Sequence, residues 1–144
     1  MADTDQYDYK SAIKQIEKTI AALQPPKMLL LVDDDAADVF IILKKLERFN
    51  VRVDVAGDGK AAQELMTKTR YDIVMFDLVM PGMSGLDLIL QTTGLNPGTR
   101  YVLLTGYPTN HQVDAVLRQG AIMLSKPLDD HALEAVLPQK IQAV

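Results

Sequence analysis

The chain contains no cysteine. Disulfide staples and thiolate metal sites are therefore excluded. That absence fits a reducing compartment, and the expected location is the cytoplasm. No apolar run reaches the roughly 18 residues needed to span a bilayer. Met1 to Lys10 is polar and acidic, unlike a secretory signal. Lys and Arg form no basic stripe, and the formal net charge is −4, which weighs against a nucleic-acid surface. Histidine is scarce. His111 and His131 share no ligand spacing and read as surface helix residues. No internal repeat or low-complexity tract interrupts the chain.

What is present suits one globular unit. The 144 residues, 48% hydrophobic and 24% charged, are enough to bury a core. Residues 1–26 read as an N-terminal helical extension, and 27–144 as the main domain. In the extension, Tyr9, Ile13, Ile16, Ile20 and Leu23 recur at alternating steps of four and three, an apolar helical stripe. Pro25-Pro26 ends it. The stripe either docks on its own domain or pairs with another chain.

From Lys27 onward, apolar strands alternate with helical spacing. Met28 to Val32 is a short apolar run followed by Asp33-Asp34-Asp35. Ala36 to Phe49 has helical periodicity, with Asp35 suited to cap it. Val51, Val53 and Val55 alternate with Arg52 and Asp54, a strand with one wetter face. After the Gly57-Asp58-Gly59 turn comes a helix with Ala61, Ala62, Leu65 and Met66. Ile73 to Phe76 reads as a strand buried on both faces, ending in Asp77 and opening into the loop marked by Pro81-Gly82. A third helix is expected after Ser84, and a fourth strand over Tyr101 to Leu104, ending at Thr105. A fourth helix fits 110–119, closed by Gly120. Ile122 to Leu124 is a fifth strand, ending at Ser125-Lys126-Pro127. A last helix is expected from Asp129 to Ile141, kinked or restarted at Pro138. Five strand–helix units predict a mostly parallel sheet with helices on both faces.

In a parallel sheet the strand ends share one edge. Asp33, Asp34, Asp35, Asp77, Thr105 and Lys126 should therefore meet there. Clustered carboxylates repel unless a cation neutralises them. Oxygen ligands without Cys or His favour a hard ion, Mg²⁺ or Mn²⁺. A carboxylate beside such an ion can attack phosphorus, with a lysine and a hydroxyl holding the phosphoryl oxygens. Each residue alone has a structural reading: a cap, a strand-end hydroxyl, a surface ion pair. Their occurrence at successive strand ends favours a site.

The runs Leu31-Val32-Asp33-Asp34-Asp35, Phe76-Asp77-Leu78-Val79-Met80-Pro81-Gly82-Met83-Ser84-Gly85, Leu104-Thr105-Gly106 and Ser125-Lys126-Pro127 make residues 27 to about 142 resemble the CheY-like response-regulator receiver domain of two-component signal transduction. The resemblance implies a flavodoxin-like (βα)₅ doubly wound α/β fold with strand order 2-1-3-4-5. It implies Asp77 as phosphoacceptor, Asp34 as direct Mg²⁺ ligand, Asp33 as ligand through water, and the Val79 backbone carbonyl completing the metal set. Thr105 and Lys126 would hold the phosphoryl oxygens, and the Lys126–Pro127 bond would be cis. Met123 stands where the family usually carries a switch aromatic. Val79 and Tyr107 occupy the positions that tune hydrolysis. The implied partners are a histidine kinase or histidine phosphotransfer protein and a downstream protein. A homodimer is expected through the N-terminal helix or the face formed by the fourth helix, fifth strand and fifth helix. Neither nucleic acid nor membrane is an expected partner. Such a module is not an enzyme acting on a separate substrate. Output is expected by protein contact, because the chain ends soon after the fifth helix, unless it belongs to a larger regulator. Two alternatives differ in chemistry. A flavin electron carrier shares the fold, although three aspartates would repel a flavin phosphate. A receiver-like scaffold would no longer take phosphate.

Overall fold

The computed structural model describes residues 8–77, 98–106 and 120–139. Helix α1 spans Tyr9–Ala22. Strand β1 (Lys27–Val32), helix α2 (Ala36–Leu46), strand β2 (Val51–Ala56), helix α3 (Gly59–Lys68) and strand β3 (Ile73–Asp77) follow. Strands β4 (Arg100–Thr105) and β5 (Ile122–Ser125) and helix α4 (Asp130–Val136) complete the described elements. The helices expected after Ser84 and over 110–119, together with Val79, Tyr107 and His111, lie outside the described residues. The face expected to include the fourth helix therefore lies partly outside them as well.

The five strands form one parallel sheet in the order β2-β1-β3-β4-β5. This is the doubly wound flavodoxin-like arrangement read from the sequence, preceded by the N-terminal helix. Continuous apolar strands suit it because both faces are covered. Alternate side chains divide between the faces. Leu30, Val32, Val74, Phe76 and Leu103 join Ala62 and Met66 of α3 on one side. Leu29, Leu31, Met75, Val102 and Leu104 meet Ile42 and Leu46 of α2 and Leu133 of α4 on the other. Full burial of one such side chain stabilises the fold by roughly 1.5–3 kcal/mol.

Local chemistry sets the helix starts. Asp35 accepts from the backbone N–H groups of Ala37 (2.8 Å) and Asp38 (3.2 Å), capping α2 as expected. Asp58 caps α3 through Ala61 N–H. Asp8 accepts from both the N–H and the hydroxyl of Ser11 at the start of α1, and these bonds hold its carboxyl below the usual range. At the other end of α2, Arg48 Nη1 donates to Glu134 of α4 at 2.9 Å, and Lys45 Nζ to the Leu128 carbonyl at 3.0 Å. These contacts tie α2 to the segment after β5.

Two expectations need correction. The last helix is expected from Asp129 to Ile141, kinked or restarted at Pro138, and residues 140 and 141 lie outside the described residues. It ends at Val136, and Leu137 is extended (φ −117, ψ 145). A proline disfavours helical geometry in the residue before it, and Pro138 follows Leu137. Instead of kinking, the chain runs on to pair Gln139 with Phe49, while the Pro138 carbonyl accepts from Asn50 N–H at 2.8 Å. In β2, Asp54 was placed on the wetter face. It is half-buried and accepts a 2.6 Å hydrogen bond from the Tyr71 hydroxyl, while Val55 is exposed. Burial, then the Asp54 bond and charge, push the Tyr71 phenol up to about 12. Gly120 has φ +98, a left-handed geometry that favours glycine, and the helix it is expected to close lies outside the described residues.

Candidate functional site at the carboxyl edge of the sheet

Asp33 directly follows β1, Asp77 is the last residue of β3, Thr105 the last of β4, and Lys126 directly follows β5. Parallel alignment brings these ends to one edge. Register does the fine placement: Asp77 pairs with Leu104, and Thr105 with Ser125. The Thr105 carbonyl accepts from Lys126 N–H at 2.8 Å, fixing the start of the β5 exit. The next peptide bond, Lys126–Pro127, is cis, as the resemblance implied.

Lys126 Nζ donates to Asp77 Oδ2 at 2.9 Å, Asp38 Oδ2 at 3.0 Å and Asp33 Oδ2 at 3.2 Å. Burial alone would lower this ammonium. The bonds to Asp77 and Asp38, the charge of Asp77 and the bond to Asp33 outweigh burial and hold it above its ordinary value. Asp33 is buried, and burial raises its carboxyl. The N–H of Asp35 and the Lys126 ammonium oppose that rise, while the charge of Asp77 adds to it. Thr105 is also buried. Among the described residues, no buried side-chain nitrogen or oxygen lacks a hydrogen-bond partner.

Asp33, Asp38 and Asp77 each offer an oxygen within 4.8 Å of the others. Among the described residues, their three negative charges exceed the one ammonium that binds all three by two. An oxygen-only set with that residual charge suits a hard divalent cation. Asp34 is exposed beside this group and is not among those three. Asp38 is the residue that reading the strand ends missed. It lies in the first turn of α2, directly after an acid-tipped strand, and that turn returns it to the same edge. An acid within one helical turn of Asp34 was the available signal. Met123 is half-buried, pairs with Leu103 in register and packs against the cluster containing Phe76. His131 is almost fully exposed on α4.

A doubly wound parallel sheet with carboxylates and a lysine at its carboxyl edge defines a flavodoxin-like protein with an acidic strand-end site. The family model for the response regulator receiver domain matches residues 29–138. The chain belongs to that family, and is a receiver domain of two-component signalling. It is 28% identical over 131 residues to transcription factor SKN7 of Saccharomyces cerevisiae, covering 90% of this chain and 21% of the relative. It is 35% identical over 116 residues to the aerobic respiration control sensor protein ArcB of Escherichia coli, covering 78% of this chain and 15% of the relative. The chain thus spans a quarter or less of these two proteins. Among solved structures, the signal receiver domain of an HD domain-containing protein from Pseudomonas fluorescens superposes with TM-score 0.70 at 28% identity, covering 76% of this chain and 90% of that one. A CheY-like receiver domain protein from Methanospirillum hungatei gives TM-score 0.70 at 26% identity, covering 76% and 89% respectively. No helix among the described residues is long and apolar enough to cross a membrane.

Proposed function

We propose that Asp77 accepts a phosphoryl group from a phosphohistidine on a kinase or phosphotransfer protein, and that the change is passed on by protein contact. The observation that carries this reading is the Lys126 ammonium, 2.9 Å from an Asp77 oxygen, inside a carboxylate group that one lysine cannot neutralise. An Asp77 carboxylate oxygen attacks phosphorus. The phosphorus–nitrogen bond of the donor breaks, its electron pair stays on the imidazole nitrogen, and a mixed anhydride remains on Asp77. Lys126 offsets charge on the phosphoryl oxygens, and the Thr105 hydroxyl donates to one of them. Asp33, Asp34, Asp77 and the Val79 carbonyl would hold Mg²⁺ or Mn²⁺, with Asp38 adding charge from α2. The ion would supply further neutralisation of the phosphoryl group. The domain modifies only itself and turns over no separate substrate.

Docking of the donor is supported by a surface next to the site. Phe40 and Ile41 of α2 are exposed, and Ile41 lines a pocket with Asp38, Lys126, Pro127 and Leu128. Phosphorylation adds nearly two negative charges at the edge. In this reading Thr105 and the family's fourth helix shift, altering the face formed by that helix, the fifth strand and the fifth helix. Residues 1–26 are an appended helical element, and the receiver unit begins at Lys27. The test is phosphate uptake from a small acyl-phosphate donor and from candidate kinases, with Mg²⁺, followed by intact mass. Wild type should gain one phosphate, while Asp77→Asn and Asp34→Ala should not. Labelling of Asp77→Asn, or wild-type labelling of Asp34→Ala without metal, would overturn the assignment.

A further inference from the structure

Helices α2, α3 and α4 each bury residues against the sheet, but α1 buries none of its described side chains. Its apolar residues remain in water: Ile13 is 54% exposed, Ile16 57%, Ile20 53%, and Leu23, just past its end, 77%. With Tyr9 they recur at steps of four, three, four and three. That is a repeat of 3.5 residues, the spacing of a narrow seam between two helices. A helix lying on a globular core carries a broader stripe with a period near 3.6.

We propose that this stripe is a homodimer seam, occupied by the same stripe of a second copy. The seam is self-complementary: Ile13 and Ile20 stand at one kind of inner position and Tyr9, Ile16 and Leu23 at the other, so a second copy meets apolar side chains along its length. Lys10, Ala12, Glu17, Thr19 and Gln24 flank it, with one charge of each sign, so a second copy meets no block of like charge. Lys14, Gln15 and Lys18 lie on the outer face, in water. No polar residue interrupts the seam to select a partner of different sequence. Leu23 to Pro26 lead directly into β1, whose first residue, Lys27, is at the amino edge of the sheet. The site lies beyond the other end of that strand, so pairing through α1 leaves Asp77 open to its donor. If each seam side chain covers roughly 100 Å², the pair buries about 1,000 Å², the lower limit for a specific interface. The dimer is therefore weak and depends on concentration.

Sedimentation of the full chain from about 5 µM to about 500 µM tests this by mass action. The wild-type mass should rise from the 15.9 kDa of one copy toward twice that. Ile13→Asp/Ile20→Asp should stay monomeric at every concentration. Because both sites are exposed, its thermal unfolding should match that of wild type at the lowest concentration, where wild type is monomeric. Lys14→Ala/Lys18→Ala, on the outer face, should associate like wild type. A monomeric wild type, a charged variant that still pairs, loss of pairing in the outer-face variant, or a mass beyond two copies would each overturn the seam.

Discussion

Replacing Lys126 by methionine keeps most of the aliphatic stem and removes the charge. It takes from Asp33, Asp38 and Asp77 the one ammonium that all three share. The side chain of Asp33 is fully buried and that of Asp77 is 13% exposed, whereas that of Asp38 is 41% exposed. Breaking a buried pair by removing one partner costs about 3–5 kcal/mol, while an exposed pair is worth at most ~1 kcal/mol. Asp38 belongs nearer the second case, and Lys126 itself is 20% exposed. The expected loss is thus about 3 kcal/mol near neutral pH, at low salt and without divalent ions. Urea unfolding followed by circular dichroism measures it. Two further arms identify the cause. Mg²⁺ should restore more stability to the variant than it adds to wild type, because the variant cluster is more negative. Adding Asp77→Asn should recover part of the loss, with a coupling of roughly 1–3 kcal/mol. A loss below about 0.5 kcal/mol, the ordinary range for surface substitutions, would refute the reasoning. So would the absence of coupling to Asp77.

Other outcomes follow from the same structure. Phe40→Asp should slow phosphate uptake from a kinase tenfold or so, about 1.4 kcal/mol of barrier, and leave uptake from a small donor unchanged; equal slowing with both would remove Phe40 from docking. Tyr71→Phe should cost about 1–2 kcal/mol at pH 7 by taking a hydrogen bond from Asp54. Tyr71 keeps its proton in the fold to about 12, whereas the unfolded chain loses it near 10. Its contribution is therefore complete below pH 10 and lost between 10 and 12. Denaturant melts of the two proteins should converge over that window, and parallel curves would contradict the assignment. The phosphate on Asp77 should be long-lived, since neither Val79 nor Tyr107 offers a carboxylate or amide to orient water. Val79→Asn and Tyr107→Glu should each speed its loss in Mg²⁺, and unchanged decay in both would place water access elsewhere.

The sheet was legible because its strands are continuous apolar runs bounded by charge. Leu29 to Val32 and Ile73 to Phe76 could belong only to a layer covered on both sides. The polar residues Asp33, Asp77, Thr105 and Lys126 announced the shared edge because each stands where such a run stops. Asp38 was hidden because it lies inside a helix, where acids in the first turn are common for reasons of dipole alone. Tyr71 and Asp54 were hidden for another reason. Their hydrogen bond spans 17 residues and depends on the placement of β2 beside β1, which no local pattern encodes. The extent of the last helix was misjudged because apolar spacing continues through Leu137, while Pro138 disfavours helical geometry there.

Strands that are apolar on both faces have a weakness of alignment. In a half-buried strand, a slip of one residue exposes the wrong face and is rejected. In β3 a slip merely exchanges one buried apolar residue for another, since Ile73, Val74, Met75 and Phe76 are all core. What rejects it is the strand end. Drawing Asp77 inward past Leu104 would bury a carboxylate away from Lys126, a far larger penalty than any mismatch of methyl groups. The charged residues thus serve as alignment marks for the sheet as well as chemistry. Variants that neutralise several of them at once should lose more than the reaction: their strands should pair in mixed registers, visible as heterogeneous amide exchange in β1 and β3.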